Sequence, residues 1–160
     1  MAADSYGRRD RLIQEKRHDA YQEHGKWPED TVCTECSAVY SDGRWSWKES
    51  EQSAKEVVCP ACKRIADHYP AGYIEMSGPF FLAKRTEILA LVHHVEDQEK
   101  SEHPMERIVS IADENDRVLI TTTGTHVARR IGEALSRSYK GEFSCKYSDA
   151  EDTVRILWQR

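Results

Sequence analysis

The residues of this chain best suited to chemistry are cysteines. Four of the five cysteines among its 160 residues form two C-x-x-C pairs, Cys33 with Cys36 and Cys59 with Cys62, with 22 residues between the pairs. Each pair can place two sulfurs on one tight turn. Two such turns brought together form a tetrahedral S₄ cage, the closed geometry of a structural zinc ion. The spacing therefore predicts Zn²⁺ as the cofactor and these four cysteines as its ligands.

The same four sulfurs also suit a single iron, as in rubredoxin-like electron carriers, and this alternative stays open. Rubredoxin-type sites usually have glycine directly after the second cysteine of each pair, where this chain has Ser37 and Lys63. A catalytic dithiol would need a thioredoxin-like βαβ setting, which the surrounding sequence lacks. Four cysteines leave no open position for a catalytic zinc, and no Walker loop, G-x-S-x-G or H-E-x-x-H motif occurs. We therefore predict a non-enzymatic protein.

Composition favours a cytoplasmic chain that does not enter a membrane. Charged residues make up 32% of the sequence and hydrophobic residues 39%, and the formal net charge is -5. The sequence has no apolar leader and no apolar run of about 18 residues, the length expected of a membrane span. The cytoplasm keeps thiols reduced, which favours a metal site over disulfides. The negative net charge argues against indiscriminate binding to nucleic acid.

Changes in sequence pattern divide the chain into four segments and predict an α+β fold. Residues 1–30 are polar and charged and indicate a flexible arm. Residues 31–70 hold the paired cysteines and predict a zinc ribbon. Residues 71–103 indicate a linker followed by a long amphipathic helix, and residues 104–160 predict a small β-β-α-β-β domain with a four-stranded sheet.

The helix in residues 71–103 is predicted from apolar residues at helical spacing, namely Phe81, Ile88, Val92 and Val95. Ser77 is its expected N-cap, and Pro104 should stop it near Ser101.

The last segment alternates between strand and helix patterns. Ile108–Ile111 and Val118–Thr123 predict a hairpin, and Thr125–Tyr139 predicts a helix. Two further strands follow, with Phe143, Cys145 and Tyr147 on one face of the first, and with Val154, Ile156 and Trp158 on one face of the second. The alternation predicts that Cys145 is a small buried core residue.

Basic residues suggest a nucleic-acid contact. On a helical wheel, one sector of the Thr125–Tyr139 helix and its end holds Arg129, Arg130, Arg137 and Lys140. The helix begins with "TTTGTH", where free backbone amides can accept an anion. The arm adds Arg8, Arg9 and Arg11, at a spacing that could follow a phosphate backbone. The alternative for the helix is a solvated face.

Two tryptophans lie in the stretch between the cysteine pairs. Trp45 and Trp47 alternate in "GRWSWKE", so on a strand both point to one face. Packing over the metal turns is the favoured interpretation, and stacking against unpaired bases is the alternative.

The order of parts resembles a small bacterial zinc-ribbon family. The stretches that carry the resemblance lie in residues 31–160 and are "CTEC", "CPAC", "GPFFLAKRTEILALVHHVEDQEK" and above all "TTTGTHVARRIGEAL". That family is itself similar to the N-terminal half of the archaeal and eukaryotic adaptor for nuclear export of the large ribosomal subunit. The resemblance implies the same four metal ligands and makes a ribosome or structured RNA the expected partner. The later export segments of the adaptor have no counterpart here, so export itself is not implied.

Three functions follow from these observations. The leading prediction is a non-enzymatic zinc-ribbon protein that binds the ribosome or structured RNA, in assembly, quality control or stress response. The alternative is a zinc-stabilised module that binds a protein or regulates one, for which binding should be insensitive to salt. The third is a small iron electron carrier, for which the purified protein should be coloured.

Overall fold

The structure, a computed structural model, describes residues 27–50 and 55–160. The described residues form four helices and two separate β-sheets, which confirms the mixed α+β class. Most of the predicted arm lies outside them, and with it Arg8, Arg9 and Arg11.

The smaller sheet and the helix after it form what we call the ribbon unit. Its elements are β1 (Thr31–Cys33), β2 (Val39–Ser41), β3 (Arg44–Ser46), β4 (Lys55–Val57) and α1 (Pro60–Asp67). The strand order is β3-β2-β1-β4, with β4 parallel to β1 and the other neighbours antiparallel. Asp42 and Gly43 join β2 to β3 with φ of 54° and 79°, the two positive values of the two-residue turn that Asp-Gly favours.

The larger sheet and its helices form the sheet unit. Its elements are β5 (Gly72–Ser77), α2 (Pro79–Ala83), α3 (Arg85–Glu102), β6 (Ile108–Asp113), β7 (Arg117–Thr122), α4 (Thr125–Tyr139), β8 (Glu142–Ser148) and β9 (Thr153–Gln159). The strand order is β6-β7-β5-β9-β8. Strand β9 runs parallel to β5, and every other neighbouring pair is antiparallel.

Alternating residues of the central strands and apolar stripes of the helices form the core of the sheet unit. The predicted stripes are confirmed, because Ile88 and Val92 of α3 and Ile131 of α4 are fully buried. The predicted inward face of β9 is confirmed as well, since Val154 and Trp158 are fully buried. The predicted Thr125–Tyr139 helix has the same bounds in the structure.

The sheet has five strands where the sequence predicted four, because β5 lies between β7 and β9. Its residues Ile74 and Met76 are fully buried, while Tyr73 and Glu75 alternate with them and are half-buried. Strand β5 therefore supplies the centre of the sheet, although the sequence placed it in the linker of residues 71–103. The predicted segment boundaries themselves stay predictions.

The predicted single helix with a Ser77 cap is wrong in two respects. Ser77 belongs to β5. The N-cap of α2 is instead Gly78, which adopts φ 106° and provides no side-chain hydrogen bond to the helix. The helical stretch is also interrupted at Lys84, so it forms α2 and α3, and α3 ends at Glu102. Gly78 is required because an added Cβ would lie 2.3 Å from the carbonyl oxygen of Arg160.

The prediction that Cys145 is a core residue is wrong, because its side chain is exposed. Strand β8 is an edge of the sheet, and α4 packs chiefly over β9 and contacts β8 less, where Phe143 lies beside Gly132. The side chains of β8 do alternate between the two faces of the sheet. The part of the strand that carries Cys145 lies largely beyond α4, so the helix does not bury that cysteine.

A leucine pair tests where the core lies. Leu135 of α4 is fully buried, whereas Leu82 of α2 is 43% exposed. We expect Leu135→Ala to lower the free energy of unfolding by about 2–5 kcal/mol, because the substitution leaves a cavity. The same change at Leu82 should cost well under about 1 kcal/mol. Urea unfolding followed by circular dichroism measures both values, and equal costs would contradict this packing.

Candidate metal centre

Two different local structures bring the four cysteines together. Cys33 ends β1, and Cys36 lies in the tight turn that follows. After that turn, Ser37 adopts φ 67° and donates its N–H to the carbonyl oxygen of Cys33 at 3.0 Å. The first C-x-x-C pair therefore forms the expected turn, with serine in the left-handed conformation for which glycine is usual.

The second C-x-x-C pair does not form a matching turn but begins a helix. Cys59 is the N-cap of α1, and its sulfur accepts the N–H of Cys62 at 3.4 Å. Pro60 follows at the first helical position, where its lack of an N–H costs nothing. The sequence predicted two similar turns because C-x-x-C spacing fits both a turn and a helix N-terminus.

The four sulfur atoms lie at the spacing of a tetrahedral metal site. The Cys33 and Cys62 sulfurs are 3.8 Å apart, as are those of Cys36 and Cys59, and all four lie within 4.8 Å of one another. A zinc–sulfur bond of about 2.3 Å gives a tetrahedron edge of about 3.8 Å, whereas a disulfide needs about 2.05 Å. The four cysteines can therefore hold a metal ion. Iron has the same tetrahedral preference, so this geometry suits zinc without identifying it.

Backbone amides support the sulfur of Cys33. The N–H groups of Glu35 and Cys59 donate to it at 3.4 and 3.3 Å. Burial raises the pKa of the Cys33 thiol, but backbone amides that donate to its sulfur outweigh this effect and lower the pKa to about 7. The thiolate that a metal needs is thus favoured at this position.

An arginine that the sequence did not single out covers the other three sulfurs. Arg107 lies in the segment before β6 and is only 7% exposed. One terminal nitrogen of its guanidinium group lies 3.2 Å from the Cys59 sulfur, 3.4 Å from Cys62 and 3.7 Å from Cys36. The other lies 3.4 Å from Cys62. Arg107 is 45 residues from Cys62 in sequence, and no local motif marks it.

The charges at this centre depend on one another. Burial raises the pKa of the Cys59 and Cys62 thiols, and the neighbouring sulfurs raise it further at Cys59. Arg107 partly opposes this effect at Cys62, because its hydrogen bond to the sulfur and its positive charge lower the pKa of that thiol. Burial lowers the pKa of Arg107 itself, but the sulfurs raise it overall. Four clustered thiolates, three of them buried, would therefore need positive charge nearby, and Arg107 supplies one unit of it.

Arg107 also joins the ribbon unit to the sheet unit. Its backbone N–H donates to the hydroxyl of Thr123 at 2.9 Å, and its carbonyl oxygen accepts the N–H of Thr123 at 2.8 Å. Thr123 directly follows β7, so these bonds fix the arginine to the large sheet. Its guanidinium group then contacts cysteines that belong to the ribbon unit. The candidate metal centre lies where the two units meet.

The two tryptophans that were predicted to share one face, Trp45 and Trp47, have different surroundings. Trp45 packs against the cluster of buried cysteines and meets the Tyr40 ring edge-on at 5.5 Å. Trp47 follows β3 and donates its indole N–H to the carbonyl oxygen of Lys100 near the end of α3 at 2.6 Å. Trp45 therefore agrees with the favoured interpretation of packing over the metal turns, whereas Trp47 is 37% exposed and links the ribbon unit to α3 instead.

Four of the basic residues predicted for RNA binding lie on or at the end of a helix that carries none of the cysteines. Arg129, Arg130, Arg137 and Lys140 are all exposed, on α4 or at its end. The guanidinium group of Arg130 pairs with Glu99 at 3.3 Å. The structure therefore places these four side chains in solvent, with one of them already partnered by a carboxylate of α3.

The first turn of α4 is not the free anion site that its sequence suggested. The N–H of Val127 donates to the carboxylate of Glu106 at 3.1 Å. A Cβ added to Gly124 would lie 2.0 Å from that carboxylate, so glycine leaves room for it. An acidic side chain thus satisfies the helix N-terminus from within the chain.

Membrane and family comparisons add two results. No helix within residues 27–50 or 55–160 is long and apolar enough to cross a membrane. Comparison of the chain with protein-family models, with curated proteins and with solved structures finds no match.

Proposed function

We propose that Cys33, Cys36, Cys59 and Cys62 hold a structural zinc ion, and that this ion fixes the ribbon unit onto the sheet unit of a non-enzymatic binding protein. The observation that carries the proposal is the set of four sulfurs within 4.8 Å of one another, at the centre of the ribbon unit. When bound, zinc would neutralise thiolate charge without undergoing redox chemistry. The sulfurs leave no ligand position open for a substrate.

Arg107 has a defined part in this proposal. Four thiolates around a divalent ion leave two negative charges, and a buried guanidinium group that donates to three of the sulfurs reduces that excess. Residues that donate to metal ligands orient them and tune affinity for the metal. Because Arg107 is anchored to Thr123, the same contact holds the ribbon unit in place.

Elemental analysis of protein purified without added metal tests the identity of the ion. We expect about one zinc per chain, released when a thiol reagent modifies the four cysteines proposed as ligands. Iron in that ratio, with visible absorption of the purified protein, would instead support the electron-carrier alternative. A chain that holds neither metal would contradict the proposal.

We further propose that the binding partner is the ribosome or a structured RNA. The exposed cations of α4 support this choice, since Arg129 and Arg137 are free to approach a phosphate backbone. The resemblance described above points the same way. The carboxylates beside Arg130, from Glu99 at 3.3 Å and Glu133 at 3.9 Å, limit its contribution.

Charge reversal tests the RNA proposal. We expect the double variant Arg129→Glu/Arg137→Glu to lose co-sedimentation with ribosomal subunits at low salt. The slope of the logarithm of the RNA-binding constant against the logarithm of salt concentration should become shallower by about two. The variant Lys48→Glu/Lys84→Glu is the matched control, because it changes net charge equally at exposed residues outside α4. Absence of co-sedimentation by the wild-type chain, or equal behaviour of the two variants, would count against an RNA partner at α4.

A further inference from the structure

Within residues 27–50 and 55–160, strand β8 is an uncovered edge of the large sheet. It is hydrogen-bonded to β9 on one side, and no strand of the described residues pairs with its other side. The register with β9 continues without a bulge from Glu142 to Ser148. The strand contains no proline or glycine, so its outer backbone groups form a regular row of donors and acceptors.

The opposite edge, β6, is protected in ways that β8 is not. Its pairing with β7 is irregular between Ile108 and Ser110, and such bulges twist an edge away from further pairing. The N–H of Ile108 donates to the carboxylate of Glu96 at 2.5 Å, and Asp113 at the far end pairs with Arg85. Because these features protect the β6 edge and not the β8 edge, β8 is the edge at which a further strand can pair.

The side of β8 nearer the helices extends the core layer into solvent. Phe143 is 39% exposed and Tyr147 is 54% exposed, although their partners on β9 are the fully buried Trp158 and Val154. An apolar layer thus continues past the cover that α4 provides. Exposed aromatic residues on a regular edge are typical of an interaction surface.

The other side of β8 carries one charge of each sign. Glu142 and Lys146 are exposed and lie two residues either side of Ser144. Their neighbours on β9 are Gln159 and Arg155, so β9 places no opposite charge beside either of them. In the described part of the chain, neither Glu142 nor Lys146 has a salt-bridge partner.

We propose that β8 pairs antiparallel with β8 of a second copy of this chain, about a two-fold axis at Ser144. In this register each Glu142 lies directly opposite Lys146 of the other copy, which creates two opposite-charge pairs. On the other side of the sheet, each Phe143 lies opposite Cys145 of the other copy and diagonal to its Phe143 and Tyr147. The two five-stranded sheets then form one continuous sheet, and both uncovered edges disappear.

Sedimentation velocity over a series of protein concentrations tests this dimer. We expect wild type to show a concentration-dependent monomer–dimer equilibrium. Glu142→Lys and Lys146→Glu should each weaken dimerisation by about tenfold, because each places like charges opposite one another twice. The double variant Glu142→Lys/Lys146→Glu restores opposite charges and should recover dimerisation. Lys84→Glu is the control and should behave as wild type.

Three results would overturn the inference. A wild-type chain that stays monomeric throughout the series excludes the dimer. Single variants that dimerise as well as wild type show that β8 is not the interface. A double variant no better than the singles rejects the register at Ser144. The variants change exposed side chains only, and circular dichroism of each one verifies that the fold is retained.

Discussion

Replacing Cys59 by serine is expected to release the metal and unfold the ribbon unit. Cys59 is fully buried, and the buried core cluster of the ribbon unit consists of three cysteines, Ala38 and Ala61, with Trp45 and a few other partly buried side chains packed against it. Such a core buries little apolar surface of its own, so the metal must supply most of its stability. Binding of zinc contributes about 10–16 kcal/mol in zinc-finger peptides, which exceeds what the remaining contacts can replace.

Hydrogen exchange and elemental analysis measure this outcome together. Amides of β1, β2 and α1 should lose protection in Cys59→Ser, and zinc per chain should fall to near zero. Amides of β5, β7 and β9 should stay protected, because the core of the sheet unit includes no cysteine. Cys145→Ser is the matched control, since Cys145 is exposed and lies outside the cluster. A ribbon unit that keeps its protection in Cys59→Ser would mean that the metal does not stabilise it.

Replacing Arg107 by methionine is expected to weaken zinc binding by about 10–100-fold while all four ligands remain. Methionine keeps much of the volume of arginine but cannot donate to sulfur, so the excess negative charge on the thiolates is left uncompensated. The substitution also removes the guanidinium link between the units, whereas the contact of Trp47 with Lys100 and the packing of Met105 against the cysteine cluster remain. Arg107→Lys should be intermediate, because lysine keeps the charge but not the planar fork.

A chelator competition measures zinc affinity in these variants, and hydrogen exchange in α1 reports docking of the ribbon unit. Arg117→Met is the control, because Arg117 is exposed and pairs only at the surface with Glu75 and Glu114. Surface pairs of this kind contribute about 0–1 kcal/mol, so zinc affinity should be unchanged. If Arg107→Met binds zinc as tightly as wild type, its contact with the sulfurs has no role in holding the metal.

Local patterns were sufficient for much of the fold. The Thr125–Tyr139 helix has an uninterrupted apolar stripe and a glycine before it, so its bounds follow from spacing alone. The paired cysteines likewise predicted which sulfurs come together. Both features depend on residues close in sequence or on a motif of fixed spacing, which a sequence reveals directly.

Features that depend on distant contacts were not predictable in this way. Strand β5 has the alternation of a strand, but the glycines and prolines around it indicated a linker, and only pairing with β7 and β9 makes it central. Arg107 looks like any charged residue until Thr123 fixes it over the cysteines. Cys145 alternates like a core residue, yet its burial depends on how far α4 extends across the sheet.

X-ray absorption at the zinc edge of the purified protein tests the central claim most directly. We expect one zinc per chain with four sulfur neighbours at about 2.3 Å and no nitrogen or oxygen ligand. A first shell that contains nitrogen or oxygen, or fewer than four sulfurs, would contradict the assignment of all four cysteines as ligands.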